Sequence, residues 1–302
     1  MHNQLCLQGK YPAADVAKTT LALYLNGLWK TCEEASTAAD PQLVRHLRVT
    51  ARRSSVALSI FAPLLSKKLV TSFNQSLREL RRTAGATRDY DVLCERLQLH
   101  LPPENSSSGI QRSSIEQLLQ LVAVKQIANR QSISAIRSQL MLWGWHSRVD
   151  DLTNSAQRNK KNYDDFMKSR LKKSCEQFSD SAKASPKKTK PLHKLRIAGK
   201  NLRYTLELIP KKNLRKPLKR CQKTLRTMQN ELGDFTDHTA AAKILKQFSK
   251  EPMADDMLYV INKMQREENT LAKISQHRFS YWWSKNRWQL IHKGLTKVSK
   301  ND

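Results

Sequence analysis

The sequence predicts an all-α protein, and three observations carry that prediction. Apolar residues recur at three- and four-residue spacing through nearly every long segment. No segment alternates polar and apolar residues between hairpin turns. Only 8 Gly and 10 Pro occur in 302 residues, too few for a loop-rich β protein. This length allows one large or two ordinary domains with a substantial core. The 39% hydrophobic content belongs to a globular chain rather than a disordered basic tail.

Helices are expected in order at 13–35 and 41–61, separated by Asp40-Pro41, then at 66–83 and 89–100. Between the last two, Gly85 suits a left-handed helix cap and Asp89 an N-cap for the next helix. The stretch from Pro102 to Gly109 breaks the pattern, and helices at 111–148 and 152–178 follow. Beyond Ser185-Pro186-Lys187-Lys188 come 190–209, 213–231 and 234–249, with Pro210 after the first and the pair Gly233…Asp237 repeating the cap signal. Glu251-Pro252 precedes a last, broken helix at 253–292.

An internal repeat runs through these helices at a constant offset of 148 residues. Without a gap, Leu47/Leu195, Arg48/Arg196, Leu58/Leu206, Lys68/Lys216, Leu77/Leu225, Arg78/Arg226, Gly85/Gly233 and Asp89/Asp237 are identical. Val49/Ile197, Arg52/Lys200 and Lys67/Arg215 are conservative pairs. Two similar halves of about four helices each are expected, 13–149 and 150–290, within one domain spanning 13–290, followed by a basic tail at 291–302. Pseudo-twofold packing is the natural arrangement, because equivalent faces then meet.

The charge follows the repeat. The chain has 54 Lys+Arg against 26 Asp+Glu, a net of +28 and a pI of about 10.1. Residues 186–250 carry +14 and residues 41–100 carry +7, whereas 101–185 carry +5 over a longer stretch. A folded protein this basic is expected to meet a polyanion.

Stepping 100° per residue from His193 gathers His193, Arg196, Lys200 and Arg203 into one stripe. Leu195, Leu202, Leu206 and Ile209 form an apolar face beside it, and Ile197, Tyr204 and Leu208 a second wedge. Lys194, Asn201 and Thr205 take the side expected to face water. The first half repeats the layout with Arg45, Arg48, Arg52 and Ser55 in the stripe and His46, Arg53 and Ala57 outside. Unpaired cations leaning inward repel one another and lose hydration unless an anion fills the space. Four charges along about 15 Å of helix suit an elongated anion. A second basic surface lies on the following helix, with Lys67 and Arg78 in half one and Arg215, Lys219, Lys223 and Arg226 in half two. Arg88 stands where it could hold the turn or reach the anion.

Other chemistry is not indicated. The eight histidines show no HxxxH or HExxH spacing, so no metal is expected. No phosphate-binding glycine loop or cofactor motif is present. The five cysteines (Cys6, Cys32, Cys94, Cys175, Cys221) are scattered and suit free thiols in a reducing compartment. No apolar run approaches a membrane span, and the start MHNQLCLQGKY lacks the apolar stretch of a signal peptide. A cytoplasmic protein is expected. Tyr204 reads as core, with a hydroxyl able to reach a phosphate. Trp282, Trp283 and Trp288 read as docking for the last helix.

The string HKLRIAGKNLRYTLEL from His193 resembles the signature of the CHAD family, the conserved-histidine α-helical domains, in His193, Arg196, Lys200, Arg203, Tyr204 and Glu207. RVTARR and GATRDYDV look like that family's N-terminal repeat, so the resemblance covers about residues 13–290. It implies two four-helix bundles related by pseudo-twofold symmetry around a basic central pore. It also implies binding of inorganic polyphosphate, association with polyphosphate granules, and no catalysis of the domain's own. The chain departs from the pattern at Arg45, which stands where the family's first histidine is expected, and at Ser55, where a basic residue is usual. Arg45 keeps a phosphate donor there. The expected partner is therefore inorganic polyphosphate, bound without cofactor or metal, and nucleic acid is the competing polyanion. A polyphosphate-processing enzyme is the third reading.

Overall fold

The structure, a computed structural model, describes residues 11–103, 109–157, 162–183, 189–210, 216–283, 287–288 and 291. Arg215 and all but the first residue of the basic tail lie outside the described residues. Among those described, nine α-helices and one short 3-10 turn make up the fold. Helix α1 runs Ala13–Thr37 and α2 Pro41–Phe61, followed by the 3-10 turn Ala62–Leu64. Then come α3 Lys67–Leu99, α4 Gly109–Leu142 and α5 Trp145–Asn154. The second half holds α6 Tyr163–Ala182, α7 Thr189–Glu207, α8 Lys216–Phe248 and α9 Asp255–Trp282. The start of α2 follows its sequence: the Asp40 side chain accepts from the Gln42 amide at 2.8 Å, and Pro41 gives up no hydrogen bond in the first turn.

The largest departure from expectation is at the paired glycines. Gly85 and Gly233 do not end helices; α3 and α8 run straight through them, each for 33 residues. Neither glycine has a positive φ, and Asp89 and Asp237 are mid-helix residues rather than N-caps. A glycine inside a helix costs only about 1 kcal/mol. The buried face around the first one, Ala84, Thr87 and Asp91, offsets that. The helix expected at 111–148 is instead cut at Gly144, whose φ of 78° is left-handed and closes α4 before α5 begins. The helix expected at 152–178 is likewise two helices, because Asn162 caps α6 by accepting from the Asp165 amide at 2.9 Å. The boundary placed near 149–150 falls inside α5.

Three apolar cores hold the helices. One gathers α1, α2, α5, the first half of α3, the end of α4 and the start of α6, including Leu25, Leu58, Phe61, Phe73, Ile136 and Trp145. A second gathers α7 with parts of α6, α8 and α9, including Phe178, Leu202, Leu225 and Phe279. The third is common to both halves, with Leu93 and Leu97 of α3 and Leu118 of α4 against Leu245 and Phe248 of α8 and Ile261 of α9. A buried polar knot is set at this shared level. Arg96 donates to Glu268 at 3.0 Å and lies 2.8 Å from His238 Nδ1, which is 2.7 Å from Glu268. Glu268 is only 2% exposed, so removing either partner strands a buried carboxylate.

Further stitches bind α7 to the first half. Tyr204 lies in the first core, and Arg53 of α2 donates to Glu207 of α7 at 2.9 Å. Consequently α2 packs on α7 and α3 on α8, which brings the repeated segments together. No helix among the described residues is long and apolar enough to cross a membrane.

Candidate functional site

The stripes on α2 and α7 converge. Arg48 and Arg52 of α2 are electrostatic neighbours of Arg196 and Lys200 of α7, although 148 residues separate each equivalent pair. The backbone contact is reinforced at one end, where Arg53 Nε donates to Glu207 Oε2 at 2.9 Å. Glu207 also faces Arg203 at 3.8 Å, and both guanidiniums lie over the Tyr204 ring, at 4.7 Å for Arg203 and 5.7 Å for Arg53. Arg53 is therefore not on a water-facing side, as helical phase alone suggested. Ala57 and Thr205, assigned to that side as well, are buried, and Ile197, assigned to an apolar wedge, is exposed. The reason is that α7 is flanked by α6 and α8 as well as α2, so its phase against solvent is set by three neighbours.

Burial and mutual repulsion lower the proton affinity of the clustered cations. Burial pushes the Lys200 ammonium down to about 6, helped by Arg196, Arg52, Arg48 and Arg203 in that order. Burial also draws Arg52 down to about 10, with Arg48, Arg196 and Arg81 adding to it. Arg196 is lowered first by burial and then by Arg48, while Asp237 and Asp89 partly compensate. Exposed His193 is lowered by desolvation and then by Arg196, Arg52 and Lys200. Within the cluster, the buried Nε atoms of Arg196 and Arg203 make no hydrogen bond.

Two carboxylates sit beside these cations. Asp89 Oδ1 is 3.9 Å from Arg48 Nη1, and burial raises the Asp89 carboxyl, with Arg48 opposing and Asp237 reinforcing the rise. Sequence reading treated both aspartates as caps, although their identity across the repeat was the signal that could have found them. It also missed Arg81, which lies one turn beyond Arg78 on α3 and adds to the positive field at Arg52.

The remaining sequence candidates are placed differently. Arg45 is exposed at the start of α2, where it stands in the position His193 takes on α7. Lys67 and Arg78 on α3 and Lys219, Lys223 and Arg226 on α8 are exposed. Arg88 neither holds a turn nor faces the cluster; it donates to Glu95 at 2.9 Å along its own helix. Ser55 is buried and donates to the Ala51 carbonyl at 2.8 Å. Among the described residues, no group of three His, Cys, Asp or Glu side chains is arranged to hold a metal.

Comparison with known proteins agrees with this architecture. The family model for the CHAD domain matches residues 19–246. A CHAD domain from the plant Ricinus communis superposes with a TM-score of 0.70 at 19% identity, covering 91% of this chain and 95% of the other. PptA from Streptomyces chartreusis superposes with a TM-score of 0.66 at 16% identity, covering 92% of this chain and all of the other. No curated protein matches the chain.

Proposed function

The chain belongs to the CHAD domain family, and from that premise we propose that it binds inorganic polyphosphate along the facing stripes of α2 and α7. The observation that carries this reading is the convergence of Arg48, Arg52, Arg196 and Lys200 from two halves of the chain onto one place. Such a cluster recovers its desolvation cost only when a multiply charged anion enters. A linear polyphosphate supplies one charge per repeat and is thin enough to run between two helices. Arginine offers bidentate contacts to successive phosphates, and Lys200 and His193 gain protons as the anion approaches. Release of counterions makes the affinity fall with salt. The exposed cations of α3 and α8, including Lys219 and Arg226, extend the positive field outward and steer the ligand in. On this reading the protein is a binding module rather than an enzyme, located in the cytoplasm at polyphosphate granules.

A competition titration at physiological salt tests the proposal. Long polyphosphate is expected to bind tightly, orthophosphate weakly, and RNA and DNA to compete poorly. Equal affinity for polyphosphate and nucleic acid overturns the assignment in favour of a nucleic-acid-binding protein. Release of orthophosphate from polyphosphate by the pure protein overturns the purely binding role.

A further inference from the structure

Helix α4 carries a surface unlike the basic faces of its neighbours. Of its exposed residues from Gln117 to Leu142, only Lys125 is charged, and it pairs with Glu251 at 3.5 Å. The others are aliphatic, small or amide side chains, with Val124 63% and Ile127 58% exposed near the middle. Helix α9 is the internal control. It packs beside α8 as α4 packs beside α3, yet its exposed face presents Asp255, Asp256, Arg266, Lys273 and Arg278. The uncharged strip thus belongs to one helix and not to the repeat, on a chain of net charge +28. We infer that this strip is an interface, at which a second copy of the chain docks antiparallel through the same face of its own α4.

Charge selects the occupant. Two molecules of the same large positive charge repel wherever their basic surfaces approach. Along α4 neither copy brings a row of cations to the contact. An acidic partner, by contrast, gains more at the exposed cations of α3 and α8 than on a strip that offers it almost none.

The pattern along the helix is also self-complementary. At 100° per residue, Leu121, Val124, Ile127, Ala128, Gln131 and Ala135 fall within about 120° of arc, the width of one packing face. About a twofold axis that crosses α4 between Asn129 and Arg130, each larger residue comes level with a small one of the second copy. Leu121 meets Ser138, Val124 meets Ala135, and Ile127 meets Ser132. Large side chains seated beside small ones give the isologous contact that a twofold requires. Gln120 and Gln139 come level too, and each amide both donates and accepts. The Ser132 hydroxyl already donates to the Ala128 carbonyl at 3.1 Å, so it brings no unmet donor into the contact.

A strip about 38 Å long and about 10 Å wide covers on the order of 400 Å² of each copy, which makes the dimer a weak, concentration-dependent one. Helix α4 packs on α1, α3 and α9, so docking through its outer face leaves α2 and α7 uncovered. On the proposed function, the dimer presents two basic clusters to one polyanion, and the second is engaged at a raised effective concentration.

Sedimentation velocity of the full chain tests the inference, from about 1 to 200 µM and in about 0.1 and 0.5 M salt. A dimer is expected to grow with concentration and to strengthen at the higher salt, where repulsion between the copies is screened. Polyanion binding has the opposite salt sign. Val124→Lys with Ile127→Lys is expected to remove the dimer and leave thermal unfolding unchanged, because both side chains are exposed. Ala128→Cys is expected to give a 128–128 cross-link on mild oxidation, identified by peptide mass spectrometry, and Thr270→Cys on α9 to give none. A chain that stays monomeric throughout overturns the inference and leaves the strip to a different partner. A dimer that survives both lysines, in protein that melts like the wild type, overturns it by placing the interface elsewhere. Should the lysine variant lose its fold, presence or absence of the 128–128 cross-link decides. None of these outcomes touches the polyphosphate reading, which the competition titration tests separately.

Discussion

The two halves of the cluster contribute three and four basic groups, in different chemical forms. Helix α2 contributes Arg45, Arg48 and Arg52, all three guanidinium groups. Helix α7 contributes His193, Arg196, Lys200 and Arg203, of which His193 and Lys200 are pushed down by burial and by their cationic neighbours. Their counter-charges differ as well. Glu207 serves Arg203 and Arg53 at the α7 end, while Asp89 stands 3.9 Å from Arg48 on the α2 side. The comparison teaches that a repeat can keep a position cationic while dividing permanent charge from conditional charge. On the proposed reading, the α2 set supplies guanidinium groups alone and the α7 set adds an amine and an imidazole whose protonation follows the ligand.

Charge reversal breaks the comparison most severely. Glutamate at Arg196, Lys200 and Arg203 together is expected to abolish polyphosphate binding, and retention of binding in calorimetry would place the site elsewhere. Alanine pairs sharpen it. Arg48→Ala with Arg52→Ala, or Arg196→Ala with Lys200→Ala, each removes two charge-assisted contacts worth about 1.5 kcal/mol apiece, on the order of a hundredfold in affinity. At pH 6 the two pairs are expected to cost similar amounts. At pH 8.5 the α7 pair is expected to cost less, because Lys200 must first acquire a proton.

The pH dependence follows from the same asymmetry. In the free protein Lys200 titrates at about 6, and a bound polyanion raises that value. Binding therefore takes up a proton above pH 6, and affinity is expected to fall as pH rises from 6 to 9. Titration in buffers of different ionisation enthalpy reads that uptake, and Lys200→Arg is expected to flatten the profile. The free protein has the opposite sign: an unfolded chain holds the Lys200 proton that the folded one has lost, so this group adds stability as pH rises between about 6 and the ordinary lysine value near 10.4.

Smaller effects are expected from the counter-charges and the glycines. Asp89→Asn with Asp237→Asn removes carboxylates that compete with the ligand for Arg48 and Arg196, and is expected to raise affinity severalfold, in line with about 1 kcal/mol for a partly exposed pair. Unchanged affinity in the double variant assigns the aspartates no part in binding. Gly85→Ala and Gly233→Ala are each expected to stabilise the protein by about 1 kcal/mol in chemical denaturation without changing affinity. No atom lies within 4 Å of either added Cβ. Destabilisation would show that the glycines serve a packing need in one half or both.

Much of this site could be read along the chain. The stripe residues Arg48, Arg52, Arg196, Lys200 and Arg203 follow from helical phase, and the repeat says that they come as two related sets. Three things could not be read. The straight run of α3 and α8 through Gly85 and Gly233 depends on tertiary contacts that offset a weak local signal. The placement of Thr205 and Ala57 inside depends on the neighbours of α7 and α2, which a helical wheel does not contain. Arg88 points along its own helix because Glu95 lies within reach, a local pairing that leaves the cluster one cation fewer.

By itself, then, the sequence determined helices, the repeat at 148 residues, the stripes, and a charge of +28 concentrated in two segments, because periodicity and composition are local properties of a chain. Only the tertiary structure decided that the stripes meet, that Asp89 and Asp237 stand beside them, and that Lys200 is held near 6 where an isolated lysine would be fully charged. Desolvation and Coulomb coupling depend on which groups are brought close and how far water is excluded. Those distances exist only once α2 has packed on α7.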